Sequence, residues 1–234
     1  MTNDSLHKAE THILRIARRS KTARFSDLMK PTELTSDSFK FHLRKLVQAG
    51  HLTKQLDGTY TLTPAGKEFA NALDRDRHAV RKQPKLSVMI VLADDQTPGR
   101  YLFHERLRNP FWGYWGLLSG PIRWGETPEQ CASRELAKQT GLRAQFTVAG
   151  CLRKRDYSTA GAQLLEDKQF IIVTGSKPQG ELSNEWPGGR SCWMSVDELK
   201  QQPRYYKDTE AVLDMIADHQ FYREVDGSYE PDEY

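Results

Sequence analysis

Apolar residues recur at helical spacing through the first fifty positions. Leu6, Ile13, Ile16 and Ala17 predict an amphipathic helix over residues 5–19. Phe25–Met29 reads as a short second helix, and Pro31-Thr32-Glu33 as a turn. Ser36 or Thr35 caps a third helix that reaches about Ala49 and stops at Gly50. Along it Phe39, Leu43, Leu46 and Val47 fall at i, i+4, i+7 and i+8, one apolar stripe. The period then changes to two. His51–Gln55 and Thr59–Thr63 alternate on either side of Asp57-Gly58, a hairpin signal. Pro64–Leu73 returns to helical spacing, with proline near the first turn.

Asp74–Pro84 is charged, poor in apolar residues and closed by proline, which predicts a linker or a helix end running into one. Beyond it Leu86–Ala93 and Tyr101–Arg106 read as paired strands, followed by a further apolar segment, Trp115–Gly120. Thr127 is a natural N-cap with Pro128 behind it, so a helix over about 128–140 is expected, ending at Gly141. Ala144–Arg153 and Lys168–Thr174 have strand character, Ser191–Leu199 reads as a strand running into a capped helix, and Lys207–His219 as a closing helix. Residues 221–234 form an acidic tail, of which Val225–Tyr234 is expected to be loose. The pattern thus divides into a domain over 1–80, a second over 86–220, and the tail; the fold class is α+β.

Charge sharpens this division. Residues 1–83 carry 16 Lys/Arg against 9 Asp/Glu, a net +7, while the remainder carries 18 against 22, a net −4. A basic first third is compatible with a nucleic-acid partner and equally with a solvated surface. No apolar run approaches the roughly 18 residues a membrane span needs, and the N-terminus lacks a signal-peptide core, so a cytoplasmic protein with no membrane partner is expected. Cys131, Cys151 and Cys192 are too scattered for a disulfide framework or zinc site and are expected to be reduced.

On the third helix Phe41 projects opposite the apolar stripe, flanked by Lys40, Arg44 and Lys45. An exposed aromatic among cations suits a helix laid in a DNA groove, cations on phosphates and the ring against a base edge. The string from Phe39 to Gly66, including Ala49-Gly50-His51-Leu52 and Asp57-Gly58-Thr59-Tyr60, resembles winged helix-turn-helix regulators of the ArsR and MarR kind. That resemblance implies a recognition helix with Ser36, Lys40, Phe41, Arg44 and Lys45 as DNA contacts, and a wing over 54–60 carrying Lys54. It also implies a double-stranded DNA partner and a homodimer on two half-sites. A winged helix used only for protein contacts is the competing reading.

In the second domain Gly120, Glu126 and Arg134-Glu135, followed by Leu136, Gly141 and Leu142, fall in the frame G-x5-E-x7-R-E-U-x-E-E-x-G-U, with U aliphatic. The segment resembles the Nudix box, and Trp115–Gly120 resembles the strand that enters it. The resemblance implies an α/β/α sandwich over about 86–220 and hydrolysis of nucleotide pyrophosphates by Mg²⁺, with Glu126 and Glu135 as catalytic candidates and the Gly120 carbonyl and Glu135 as metal ligands. It also implies that Glu126 and Arg134 pair to hold loop to helix. The box departs from the family at its Glu-Glu pair, which is Lys138-Gln139. Glu135, Lys138 and Gln139 share one helix face. An ammonium cannot ligate a hard cation, and an amide oxygen is weaker than a carboxylate.

No cofactor is therefore expected, with Mg²⁺ kept for the hydrolase alternative. Lys138 would stand in for the metal, paired with Glu135 and facing ligand phosphates. Gln139, Arg123, Arg106 and Trp115 complete the ligand-binding candidates, with Arg108 as a further phosphate partner. Trp112, Tyr114 and Trp124 are candidates for stacking on a base, or core; Glu166 is a candidate downstream base or ligand. Three readings stay open for this domain: a sensor of a nucleoside-diphosphate-linked metabolite, a drifted scaffold, and a hydrolase. The preferred whole is a DNA-binding transcription regulator with a nucleotide-derived ligand; the alternative is a metal-dependent Nudix hydrolase.

Overall fold

A computed structural model describes residues 7–73 and 82–234. Leu6 and most of the stretch read as a linker, residues 74–81, lie outside the described residues. The chain divides into two compact units, Met1–Gln83 and Pro84–Tyr234.

The first unit holds helices α1 (Lys8–Ala17), α2 (Phe25–Met29) and α3 (Ser36–Gln48), strands β1 (Leu52–Lys54) and β2 (Tyr60–Leu62), and helix α4 (Pro64–Ala72). Local chemistry sets the boundaries. Glu10 accepts from the His7 amide, and His7 Nδ1 accepts from the Ala9 amide, which opens α1. Thr35 caps α3 through the Ser38 amide, and Thr63 caps α4 through that of Gly66. The strands pair antiparallel, Leu52 opposite Leu62 and Lys54 opposite Tyr60, and Asp57 accepts from Thr59 in the turn. Ile13, Leu14, Leu28, Phe39, Leu46 and Leu52 interlock as the core of this unit.

The second unit is built on one sheet of eight strands. In chain order these are β3 (Lys85–Leu92), β4 (Arg100–Arg106), β5 (Trp115–Pro121), β6 (Arg143–Ser158), β7 (Leu164–Gln179), β8 (Glu185–Trp186), β9 (Gly189–Ser195) and β10 (Tyr222–Tyr229). They lie side by side as β10-β6-β7-β3-β5-β4-β9-β8. Helix α5 (Pro128–Thr140) packs on one face, where Val88, Ile90, Leu92, Leu118, Ala132 and Leu136 form a core. Helices α6 (Val196–Lys200) and α7 (Asp208–Ala217) cover the other face, over Met89, Val91, Phe103, Trp115 and Leu117. Alternate residues of β3 thus feed both cores, which is why Leu86–Ala93 reads as unbroken apolar sequence.

Two expectations are corrected. Strands β3 and β4 are not paired neighbours: β5 runs antiparallel between them, and they meet only at the Ala93–Tyr101 bridge. Trp115, Leu117 and Leu118 are buried, so β5 takes an interior position that covers both its faces. Nor is the tail loose. Residues 222–229 form β10, parallel to β6, and Arg155 pairs with Asp226. Alternating acids on β10 meet the basic run of β6, and Tyr229 packs under Phe111. Cys131, Cys151 and Cys192 are free thiols. Among the described residues no helix is long and apolar enough to cross a membrane.

Candidate functional site

The box segment folds as strand β5, a loop over 122–127, and α5. Thr127 caps the helix through the Gln130 amide, and Gly141 closes it at φ 75°, a left-handed conformation that favours glycine. Arg134 clamps the loop: its Nε donates to Glu126 Oε1 at 2.7 Å and its Nη2 to Glu126 Oε2 at 2.8 Å. The Arg134 hydrogen bonds are the main cause that holds the Glu126 carboxyl down at about 2. Gly120 must be glycine for packing reasons. A β-carbon there would sit 2.2 Å from Glu135 Cγ, so the bare backbone is what lets the Glu135 carboxylate reach it.

Glu135 is 4% exposed. Its Oε1 accepts from Arg134 Nη1, and its Oε2 accepts from Gln139 Nε2 at 2.8 Å. The same Gln139 amide donates to the Ser119 carbonyl at 3.1 Å. An N–H donor thus lies between a carboxylate and the Ser119 backbone carbonyl. The Gly120 carbonyl faces the Cys131 thiol at 3.7 Å. Among the described residues no group of three acidic, histidine or cysteine side chains converges to hold a metal. One carboxylate already committed to a guanidinium and an amide does not fit Mg²⁺, which needs several oxygen ligands.

Lys138 does not take the place expected of it. It is exposed, and its ammonium stands 5.0 Å from the Trp186 ring centroid, with Arg108 at 5.5 Å from the same ring. Glu135 turns to Gln139, one residue on, because that side chain lies on the buried side of α5 while Lys138 lies toward the rim.

A pocket of about 70 Å³ opens beside Gln139 and Ser119 on the sheet face. Arg106, Arg108, His104, Lys154, Lys168, Asp156 and Asp208 supply its polar lining, and Met89, Leu117, Phe111, Phe170 and Tyr206 its apolar one. Lys154 and Asp208 also border an adjoining cavity of about 550 Å³, with Tyr205, Tyr229 and Glu233. Burial, with Arg108 and Arg106 nearby, lowers His104 to about 4, so the imidazole is neutral at pH 7; its Nδ1 is 3.1 Å from Ser191 Oγ. Burial also lowers Lys168 and Arg106.

Of the sequence candidates, Gln139, Arg106 and Arg108 come together here. Trp115 is a core residue with Arg190 over its ring. Arg123 is exposed on the loop, and Trp112 and Trp124 project outward, the latter 101% exposed. Tyr114 is buried against Phe111 and Tyr229. Glu166 is taken by Lys85 at 2.7 Å and by the Tyr234 hydroxyl at 3.0 Å, so it is tied into the fold. Sequence reasoning missed Lys154, Asp156, Lys168 and Asp208. The available signal was period two on β6: Leu152, Lys154, Asp156 and Ser158 share its inner face.

In the first unit Lys40, Arg44 and Lys54 rim one surface depression floored by Phe25, Leu43, Val47 and Tyr60. Phe41 is 56% exposed on the same helix. Ser36 is the first residue of α3 and is exposed. Lys45 turns the other way, to the buried Glu10 carboxylate at 3.1 Å.

A sheet clasped between helices, with the glycine–loop–helix segment at its centre, defines a Nudix-type domain. Residues 83–215 match the family described as NUDIX domain, and the chain belongs to that family. Over 112 residues it is 30% identical to a Mycobacterium tuberculosis protein named "Putative 8-oxo-dGTP diphosphatase 3", covering 47% of this chain and 50% of that one. The chain thus spans about half the length of this curated relative. Among solved structures, the Nudix domain of Shewanella oneidensis NrtR complexed with ADP ribose is 21% identical, with a TM-score of 0.49 over 67% of this chain and 98% of that one. A MutT Nudix hydrolase from Burkholderia pseudomallei is 24% identical, with a TM-score of 0.47 over 58% of this chain and 99% of that one.

Proposed function

We propose that the chain is a ligand-responsive transcription regulator. Its Nudix domain binds a nucleoside-diphosphate-linked metabolite without cleaving it, and its first unit is a winged helix that grips double-stranded DNA as a homodimer. The observation that supports the reading is the Gln139 amide, which donates to both Glu135 and the Ser119 carbonyl where the family's box has a carboxylate. The order of three helices and a hairpin in the basic unit supports the DNA half, as do Lys40, Arg44 and Lys54 around one depression and the outward Phe41. Ligand binding shifts the DNA-bound population only as far as the ligand favours one arrangement over the other.

The second reading is a Nudix hydrolase, favoured by the identity with the mycobacterial relative and by the retained Glu126 and Glu135. One experiment separates them. Full-length protein is titrated with ADP-ribose in EDTA and assayed for turnover with Mg²⁺, alongside a gel shift on the upstream region of its own gene. The regulator reading expects saturable binding, no turnover above background, and a shift that Arg44→Ala weakens while flattening the salt dependence by about one phosphate contact. Mg²⁺-dependent cleavage at ordinary enzymatic rates with no shift at any salt would establish the hydrolase instead.

A further inference from the structure

Glu10, on α1, is a carboxylate buried inside the basic first unit, at 1% exposure. Both of its oxygens are taken. The His7 amide donates to Oε2 at 3.1 Å. His42 Nδ1 lies 3.0 Å from Oε1, and Lys45 Nζ lies 3.1 Å from the same oxygen. Burial works against the Glu10 charge, but His42 and Lys45 outweigh it and hold the carboxyl below its ordinary value. Both of these partners come from α3, the helix that carries Phe41.

The clamp reaches Phe41 directly. Lys45 stands four residues on, with its ammonium 5.6 Å from the Phe41 ring centroid. His42 meets the same ring edge-on, centroids 5.3 Å apart and planes at 77°. His7 in turn stacks on His42 at 4.5 Å. Phe41, 56% exposed, is thus an outward aromatic braced by two residues that a buried acid holds. The other cations of α3 are placed differently. Lys40 and Arg44 line the depression with Lys54. Lys40 meets only the exposed Asp37, at 3.5 Å, a pair that water screens.

A cation that reaches a DNA phosphate releases counterions, and each such contact steepens the logarithmic dependence of affinity on salt by about 0.9. Lys40 and Arg44 can do this at little cost. Lys45 cannot, because moving it to a phosphate strips a buried carboxylate of its ammonium. An apolar ring held in place beside a neutralised cation is suited to the C5 methyl of thymine in the major groove.

We propose that Glu10 is a positioning residue that sets specificity in the DNA-binding unit: it withholds Lys45 from the phosphates and holds Phe41 toward thymine methyl groups. This rests on the reading of the first unit as a module for double-stranded DNA.

The test is fluorescence anisotropy of the full-length protein with labelled alternating d(AT) and d(AU) duplexes, which differ in the thymine methyl, between about 50 and 200 mM salt. The wild-type protein should bind the thymine duplex roughly fourfold more tightly, the worth of one buried methyl group, and Phe41→Ala should bring that ratio to about one. Glu10→Gln, checked for folding by its thermal melt, should bring the ratio below about twofold and steepen the salt slope by about 0.9 as Lys45 is released. A Glu10→Gln variant that binds both duplexes more weakly by the same factor, with the slope unchanged, overturns the proposal, because a merely structural acid behaves that way. Lys45→Ala keeps the question open to measurement should the glutamine variant not fold. It should lower the thymine preference and keep the slope, and a slope shallower by about 0.9 overturns the proposal, since Lys45 is then a phosphate contact. Equal binding of the two duplexes by the wild-type protein also overturns it and leaves the DNA reading standing. No binding of either duplex at about 50 mM salt overturns both.

Discussion

Gln139→Glu tests whether the amide truly replaces a cation. Gln139 Nε2 lies 2.8 Å from Glu135 Oε2 and 3.1 Å from the Ser119 carbonyl, in a side chain that is 2% exposed. The substitution removes both donated hydrogen bonds and sets a second carboxylate against the first. At about 3 Å and an effective dielectric near 20 the repulsion is about 5 kcal/mol. The new carboxyl can escape by binding a proton, which at pH 7 costs about 4 kcal/mol from an ordinary glutamate value near 4.3. That caps the electrostatic penalty, and a loss of about 2–4 kcal/mol is expected in EDTA. For a domain of this size the melting temperature should drop by roughly 10 °C. The sign with pH follows from a carboxyl raised in the folded state: the penalty vanishes below about pH 4.3 and grows as pH rises through the raised value. Mg²⁺ at ten times its dissociation constant should restore about 1.4 kcal/mol to the variant, whereas the wild-type melt should not move between EDTA and Mg²⁺. Melts followed by circular dichroism decide the matter. A variant as stable as wild type in EDTA at pH 7, or a wild-type protein that gains several degrees from Mg²⁺, would refute the reasoning.

Two further outcomes follow from the pocket. Lys154→Met leaves Asp156 and Asp208 buried without their shared ammonium, which lies 3.3 Å from each, and should cost about 3–5 kcal/mol in urea unfolding; a loss below about 1 kcal/mol would mean the carboxylates are not held by it. His104, lowered to about 4 from its ordinary 6.5, takes up its proton in the unfolded chain before it does so in the folded one. The stability it contributes is present above pH 6.5 and falls as pH drops toward 4, by up to about 3 kcal/mol. Its imidazole resonances should stay flat from pH 8 to 5.5, and a midpoint near 6.5 in the folded protein would contradict the buried placement.

The elements with strong local signals were legible in the chain. Thr127, Pro128 and Gly141 mark the limits of α5, and the Phe39–Val47 stripe orients α3, because caps and helical periodicity act within a few residues. The Nudix frame was likewise legible as fixed spacing. Long-range pairing was not. Nothing local puts β5 between β3 and β4, or makes the acidic end of the chain an edge strand beside the basic face of β6. Those placements come from burial of two sheet faces and from charges some seventy positions apart in sequence, as in the Arg155–Asp226 pair.

The candidate site divides the same way. Sequence alone determined that the third and fourth acids of the box are missing and that a lysine and a glutamine replace them. Only the tertiary structure decided which of the two faces Glu135. Both lie on the same side of α5 by spacing, but packing against β5 buries one and leaves the other at the rim beside Trp186. It also decided that Lys154, Asp156 and Asp208 meet, since the last comes from a helix some fifty positions away that folds back over the sheet. A chain's local preferences fix which residues share a face; the free energy of covering that face fixes what they touch.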